Sequence, residues 1–522
     1  MRYGAVNPLH SMSFQGPGSL SSSSSLYSSP QKYHPGVLNM KVPRCMSTQH
    51  PDNVNPPFFA EEPELGGEDE IREAYYVFSH LGCDEQMWDC EGKEVDNYVV
   101  KKLLTKYQAF FRDHVLGEDL RLTLRVPNPT VERAEAKILL ETLESIPRSY
   151  DTASLFYGMD AAPVFEVILP MTSSSSCLNR IHSYYLDFVK GKERLQLADG
   201  VTVKEWIGEF RPDEINVIPL FEDHEGMLNA AKITGEYLDG KDIQEQRVFL
   251  ARSDPAMNYG MISATLLNRI ALSDFRDLEE ESGVKLYPII GMGSAPFRGN
   301  LRPDNVEDVT WEYRGAYTFT VQSSFKYDHE PSDVIRGIKK LRSVKPGRAA
   351  EIERESVLEI ISAYCREYRR QVMDLVDIIN RVARYVPGRR KRKLHIGLFG
   401  YSRSMGNVSL PRAITFTAAL YSLGVPPELL GFNALSSGDL EFIEEVYPGL
   451  GRDLHDAARY ANPESPFLSP EVKSSFEEYL EPEYDEGHMK TTEEIIRALR
   501  INRTANLQEL ILEAASQRKF LG

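Results

Sequence analysis

The chain is short of cysteine. It has five in 522 residues, at positions 45, 83, 90, 177 and 365, and no two share a CxxC spacing. That excludes a zinc site of the usual spacing and a disulfide-built scaffold, and it favours a reducing compartment, so the expected location is cytoplasmic. No apolar run approaches the ~18 residues that a membrane span needs. Positive charge is also in deficit: 60 Lys+Arg stand against 77 Asp+Glu, a formal net charge of −17. That sign argues against nucleic acid or an anionic membrane as the main partner. Residues 1–39 have no acidic residue at all, ten serines, and only Arg2 and Lys32 as basic residues. A stretch so poor in branched apolar side chains cannot bury a core and is expected to be a disordered Ser-rich extension. A transit peptide is also Ser-rich and acid-poor, but the near absence of arginine and of an amphipathic period speaks against one.

What is present from residue 40 onward is the composition of a globular protein, with 42% hydrophobic and 26% charged residues over the whole chain. A core of this size needs no disulfide support. Short β-branched or apolar runs alternate with longer helical stretches. The strand-like runs are 120–126, 164–169, 216–221, 247–251, 285–290, 317–321, 394–399 and a weaker one at 429–432. Helical stretches lie between them, at 130–143, 179–189, 227–237 and 257–272 for example. Strand and helix in alternation imply parallel strands with crossovers. Eight strands predict an α/β fold, a closed (β/α)8 TIM-type barrel. The length beyond a minimal barrel predicts extensive additional α-helices, so residues 40–522 are read as one barrel domain with helical insertions and C-terminal helices. The longest helix is predicted over 348–385. In it Val357, Ile361, Tyr364, Tyr368, Val372, Leu375, Ile379 and Val382 follow steps of three and four, an apolar stripe for packing. The basic run 389–393 behind it is read as a solvated cluster at a helix end.

In such a barrel, chemistry sits on the loops that leave the C-terminal strand ends. Those loops carry Arg125, Glu222 with Asp223, Ser253-Asp254, Gly291-Met292-Gly293-Ser294 with Arg298 and Arg302, and Arg403 with Arg412. Two carboxylates suit a hard divalent ion such as Mg²⁺ or Mn²⁺, which keeps waters and takes further ligands from substrate. Arginine forks suit carboxylate and phosphate oxygens. The expected substrate is a small, multiply charged anion. The glycines at 291 and 293 lack a GxGxxG continuation, so a dinucleotide site is a poor reading. His50 stands in the polar, turn-rich Ser47-Thr48-Gln49-His50-Pro51-Asp52-Asn53, a suitable place for a general acid or base.

MSTQHPDN, LRLTLRVPNP, VFEVILPMTSSSS, INVIPLFEDHEGM, RVFLARSDPAMNYG, LYPIIGMGSAPFRGN and GYSRSMGNVSLPRAITF, in this order, resemble the archaeal-type phosphoenolpyruvate carboxylases across residues 40–522. The resemblance implies a homotetramer that converts phosphoenolpyruvate and bicarbonate to oxaloacetate and phosphate with Mg²⁺ or Mn²⁺. It implies His50 as the essential histidine and Glu222 and Asp254 as metal ligands. It further implies catalytic roles for Arg125 and Arg298, and substrate binding by Arg403 and Arg412. The larger relatives carry a second arginine and a histidine in the glycine-rich loop, where this chain has Met292 and Arg298 alone; Arg302 is the candidate substitute. A lysine after their Ser-Asp motif is Met257 here. The loop 291–299 is expected to close over the reaction, since a wet enolate would protonate to pyruvate. Two other readings are another metal-dependent enolate-handling lyase or phosphotransferase, and a non-catalytic oligomer that binds organic anions.

Overall fold

The computed structural model describes residues 41–522, apart from 91–95, 132, 134–135, 392–403 and 406–407. Eight short strands occupy its centre: Cys45–Ser47 (β1), Glu85–Asp89 (β2), Arg121–Arg125 (β3), Glu166–Leu169 (β4), Asn216–Phe221 (β5), Glu245–Ala251 (β6), Lys285–Gly291 (β7) and Thr318–Val321 (β8). They close into a barrel in chain order, each neighbour parallel to the last. Closure is made by β1 against β8, with Cys45 opposite Phe319 and Ser47 opposite Val321. Helices surround the sheet and extend beyond it to the C-terminal helices Pro470–Leu480, Glu486–Arg500 and Leu507–Arg518. The α/β barrel with many added helices is therefore as expected.

The membership of the barrel is not. The weak run at 429–432 is no strand: Pro427–Leu429 and Phe432–Ala434 are short 3-10 turns. The run 394–399 lies outside the described residues. The missing pair are β1 and β2, which carry little apolar signal. Every residue of β2 is buried, although its sequence is Glu-Gln-Met-Trp-Asp. The reason is an ion network inside the barrel near its N-terminal end. Arg247 donates to both oxygens of Glu85 (2.8 and 2.7 Å) and to Glu166 (2.9 Å), which also accepts from Arg121 (2.9 Å). Two guanidinium groups thus meet two carboxylates, the condition under which buried charge is tolerated. Above this layer Met46, Met87, Ile168, Ile218, Leu220, Phe249 and Ile289 fill the lumen.

The long helix spans Arg354–Ala383, begun by the Glu353 carboxylate accepting from the Ser356 N–H (2.9 Å). All eight residues of the predicted stripe are buried. They pack against helices of the same chain, including Met261–Ser282 and Ala413–Ser422. The basic run that follows departs from expectation. Arg389 is buried with its guanidinium on the Val54 carbonyl, and Arg390 is buried between Glu70 (2.9 Å) and Glu73 (2.8 Å). Of that run, Lys391 is exposed. Spacing could not reveal this, because the acidic partners lie some 320 residues earlier.

Candidate active site

A chain of hydrogen bonds runs around the C-terminal rim of the barrel. His50 stands three residues past β1, its Nδ1 2.9 Å from the Thr48 hydroxyl. Its carbonyl accepts from the N–H of Ser323, just beyond β8 (3.3 Å). Its neighbour Gln49 accepts from the Asp89 N–H at the end of β2 (3.0 Å). Asp89 in turn takes both arms of Arg125, the last residue of β3 (3.0 and 3.2 Å). Asn128, next on that loop, donates to the carbonyls of Pro170 (2.9 Å) and Met171 (3.1 Å) beyond β4. Met171 sits in the left-handed region (φ 49°) and donates its N–H to Glu222 Oε2 (2.8 Å). A non-glycine residue held there needs its surroundings to fix it, and Asn128 supplies that hold.

Glu222 is buried and is the first residue after β5. The register of β5 on β6, Phe221 opposite Leu250, places it beside the strand end that leads to Asp254. Asp254 lies in the first turn of the helix Ser253–Tyr259. Arg298, on the loop after β7, closes the circuit. Its Nε donates to Ser253 Oγ (3.0 Å), one Nη to Asp52 Oδ2 (3.1 Å) and to the Gly522 carbonyl (2.8 Å), and the other to Gln322 Oε1 (2.5 Å) beyond β8. A side chain at Gly293 would bring its Cβ within 2.8 Å of this guanidinium; the glycine is there because the arginine passes over it. Burial lowers the pKa of Arg298, while the charges of Asp52 and Asp254 support its cation. Burial likewise raises the Asp52 carboxyl, opposed by Arg298 and by the Ser324 N–H.

His50, Arg125, Glu222, Asp254 and Arg298 therefore all stand at or beyond the strand ends on one side of the barrel. Arg412 is half-buried and caps the helix Ala413–Ser422, which packs against the helix that begins with Ser253-Asp254. Arg403 lies outside the described residues. Arg302 turns to Asn300 (2.9 Å), Asp304 (3.4 Å) and Asp456 (3.0 Å), tying the loop to the helix Leu450–Ala458. Met257 is completely buried, so it lends no polar group to the rim. The loop expected to close is already packed: Met292 to Leu301 are all buried.

Residues 42–522 match the sequence profile of the phosphoenolpyruvate carboxylases. Phosphoenolpyruvate carboxylase of Methanospirillum hungatei is 57% identical over 484 residues, which cover 92% of this chain and 100% of that protein. The enzyme of Pyrococcus abyssi is 52% identical over 92% of this chain and 100% of its own. The chain belongs to the phosphoenolpyruvate carboxylase family. Its archaeal-type branch is the one these relatives represent, and the carboxylation of phosphoenolpyruvate is its activity. Among solved structures, a malate synthase of Haloferax volcanii aligns at 11% identity with a TM-score of 0.39, over 80% of this chain and 98% of that one.

Several residues that build this phosphoenolpyruvate carboxylase rim are silent in sequence. Asp52 is visible only as the acidic residue of the His50 turn. Gln322 and Ser253 carry no pattern that marks them. Lys326, buried five residues past β8, holds Ser47 Oγ (3.1 Å), the Thr48 carbonyl (2.9 Å) and Glu73 (3.0 Å), and so anchors the His50 loop from below. Among the described residues no three His, Cys, Asp or Glu side chains converge as a metal cage. Glu222 and Asp254 are two hard oxygen donors, a set that suits a cation whose remaining ligands are water and substrate.

Proposed function

We propose that this chain forms oxaloacetate and phosphate from phosphoenolpyruvate and bicarbonate at the rim just described. The observation that carries the placement is the guanidinium of Arg298. It bonds both Asp52, two residues past His50, and Ser253, one residue before Asp254. Glu222 and Asp254 would hold Mg²⁺ or Mn²⁺, which when bound supplies Lewis-acid stabilisation of charge on substrate oxygens. Arg125, Arg298, Arg403 and Arg412 are assigned to the carboxylate and phosphate groups, Arg298 through the one N–H that its bonds to Ser253, Asp52, Gly522 and Gln322 leave over. A bicarbonate oxygen attacks phosphorus. The bond to the enol oxygen breaks with its electron pair, leaving carboxyphosphate and the enolate of pyruvate. Arg125 faces the developing enolate charge. His50, its ring oriented by the Thr48 hydroxyl, takes the carboxyl proton of carboxyphosphate. CO₂ and phosphate separate, and the enolate carbon attacks CO₂. The packed loop 292–301 excludes water from this step.

We further propose a homotetramer in the cytoplasm. Leu155, Phe188, Trp206 and Ile207 are exposed by 87%, 61%, 68% and 56%, and apolar surface of this kind favours contact between copies. No described helix is long and apolar enough to cross a membrane.

The test couples oxaloacetate to malate dehydrogenase, with phosphoenolpyruvate, bicarbonate and divalent cation omitted in turn. Oxaloacetate is expected only when all three are present. Turnover of phosphoenolpyruvate without bicarbonate would indicate another enolate-handling lyase or phosphotransferase. No turnover at all would indicate an anion-binding protein.

A further inference from the structure

The loop that carries Arg298 is largely bonded to itself. Gly293 N–H donates to the Arg298 carbonyl (2.8 Å), Leu301 N–H to the Gly293 carbonyl (3.0 Å), and Arg298 N–H to the Ala295 carbonyl (2.8 Å). Both peptide groups of Phe297 are held instead by side chains from other elements. Its N–H donates to Glu428 Oε1 (2.6 Å), and its carbonyl accepts from an Nη of Arg252 (3.1 Å). Both gripping side chains are completely buried. Each is fixed by a tyrosine: Tyr421 donates its hydroxyl to the same Glu428 oxygen (2.7 Å), and Arg252 Nε donates to the Tyr313 hydroxyl (3.1 Å). The Phe297 ring lies against Phe416 with centroids 5.9 Å apart. Tyr421 and Phe416 both belong to the helix that Arg412 caps.

A buried carboxylate and a buried guanidinium are costly to keep. Here they close on the two polar groups of one residue, the one that precedes Arg298. We propose that Glu428 and Arg252 are positioning residues for the carboxylation: they clamp Phe297 and thereby aim the Arg298 guanidinium onto its Asp52–Ser253 bridge. The proposal rests on the reading of Arg298 as a group that holds substrate. Neither clamp residue touches substrate. Glu428 also links the aim of Arg298 to the helix of Arg412, so two substrate arginines share one frame.

Five variants of the full chain test this: Glu428→Ala, Arg252→Met, the conservative Glu428→Gln, Arg298→Lys, and Glu428→Ala combined with Arg298→Lys. Two quantities are read on folded protein: kcat/KM for phosphoenolpyruvate, and amide hydrogen exchange of the segment 292–300. Glu428→Ala and Arg252→Met should each lower kcat/KM at least tenfold and speed exchange of that segment at least tenfold. Glu428→Gln keeps an acceptor for Phe297 and Tyr421 and should stay within about threefold of the parent on both. In the double variant the loss should not exceed that of Arg298→Lys alone, because residues that act through one group are not additive. The clamp is refuted if Glu428→Ala lowers only thermal stability, with kcat/KM within twofold and exchange unchanged, or if its loss multiplies with that of Arg298→Lys. Should the parent enzyme make no oxaloacetate, the functional reading fails, and exchange in the single variants still decides whether the clamp exists.

Discussion

Replacing Glu73 by Gln tests how the base of the His50 loop is held. Glu73 lies on the helix Glu68–Tyr76, completely buried. One oxygen accepts from Lys326 (3.0 Å) and the Tyr327 hydroxyl (2.9 Å), and the other from Arg390 (2.8 Å). Burial pushes its carboxyl up, but the charges of Arg390 and Lys326 outweigh burial and hold it well below the usual range. Removing one member of a buried pair costs about 3–5 kcal/mol. Arg390 keeps Glu70 in the variant, whereas Lys326 is left with a hydroxyl and a carbonyl, so the lower part of that range applies, about 3–4 kcal/mol. At ~2.1 cal/mol/K per residue over roughly 480 residues, unfolding as one unit, this is a fall in Tm of about 3–4 °C. Because the folded carboxyl is depressed, the stabilisation is present above about pH 4.5 and is lost as pH falls further. The difference between parent and variant should therefore be flat from pH 6 to 8 and shrink below that value. Lys326 anchors Ser47 and Thr48, so a loosened lysine misplaces His50. Oxaloacetate formation should drop about 10–100-fold while pyruvate rises. Scanning calorimetry across pH, with both products assayed, measures all of this. A Tm within 1 °C of the parent, an unchanged product ratio, or a difference that grows from pH 6 to 8 would refute the reasoning.

Replacing His50 by Asn should leave phosphoenolpyruvate cleavage to pyruvate but cut oxaloacetate by more than about 100-fold; near-normal carboxylation would remove His50 from the base role. Asp254→Asn should raise the half-saturating Mg²⁺ concentration at least about tenfold, and unchanged metal dependence would move the ligand to another carboxylate such as Asp223. Asn128→Ala removes the two bonds that hold the Met171 turn under Glu222, so it should cost about 1–3 kcal/mol of stability and raise the metal requirement in the same titration. Burial pushes Asp328 up to about 7, against the N–H groups of Asn55 and Val54. The folded chain then holds that proton more tightly than the unfolded one, so the stability it contributes is complete below about pH 4 and is lost as pH rises to 7. Asp328→Asn should flatten that decline by on the order of 3 kcal/mol in denaturant titrations between pH 4 and 7; parallel pH curves would refute it.

Sequence reading works here where one periodicity dominates. β5 matches its predicted bounds, and the stripe on the long helix is buried at every position, because an apolar face repeats without interruption. It fails where burial is ionic. β2 looks like a surface segment until Arg247, from β6, is seen to neutralise Glu85. Arg389 and Arg390 look like a solvated cluster until Glu70 and Glu73 are seen beside Arg390. The candidate site residues were legible as residues at or shortly after strand ends within the quoted motifs. Their supports, Asp52, Gln322, Arg252, Glu428 and Lys326, were not, since each acts through a partner on another element.

Charge balance connects the two ends of the barrel with the need for a metal. At the N-terminal end Arg121 and Arg247 meet Glu85 and Glu166, and the account closes at zero. At the rim, Arg125 is bonded to Asp89 and Arg298 to Asp52, while Glu222 and Asp254 add two carboxylates. Arginines held by acids are aimed in advance and need no reorganisation when charge develops, but their field is largely neutralised. Among the described residues, the charges of Arg125 and Arg298 are thus each opposed by a bonded carboxylate, and Glu222 and Asp254 bring further negative charge to the rim. A divalent cation held by Glu222 and Asp254 would add positive charge there and favour a substrate carrying phosphate and carboxylate. On this argument the apparent KM for phosphoenolpyruvate should fall steeply as Mg²⁺ is raised, and Glu222→Gln should weaken metal binding while making phosphoenolpyruvate binding at low metal stronger, not weaker. A variant that binds phosphoenolpyruvate less well at every metal concentration would show that Glu222 contacts the substrate itself rather than setting the charge of the rim.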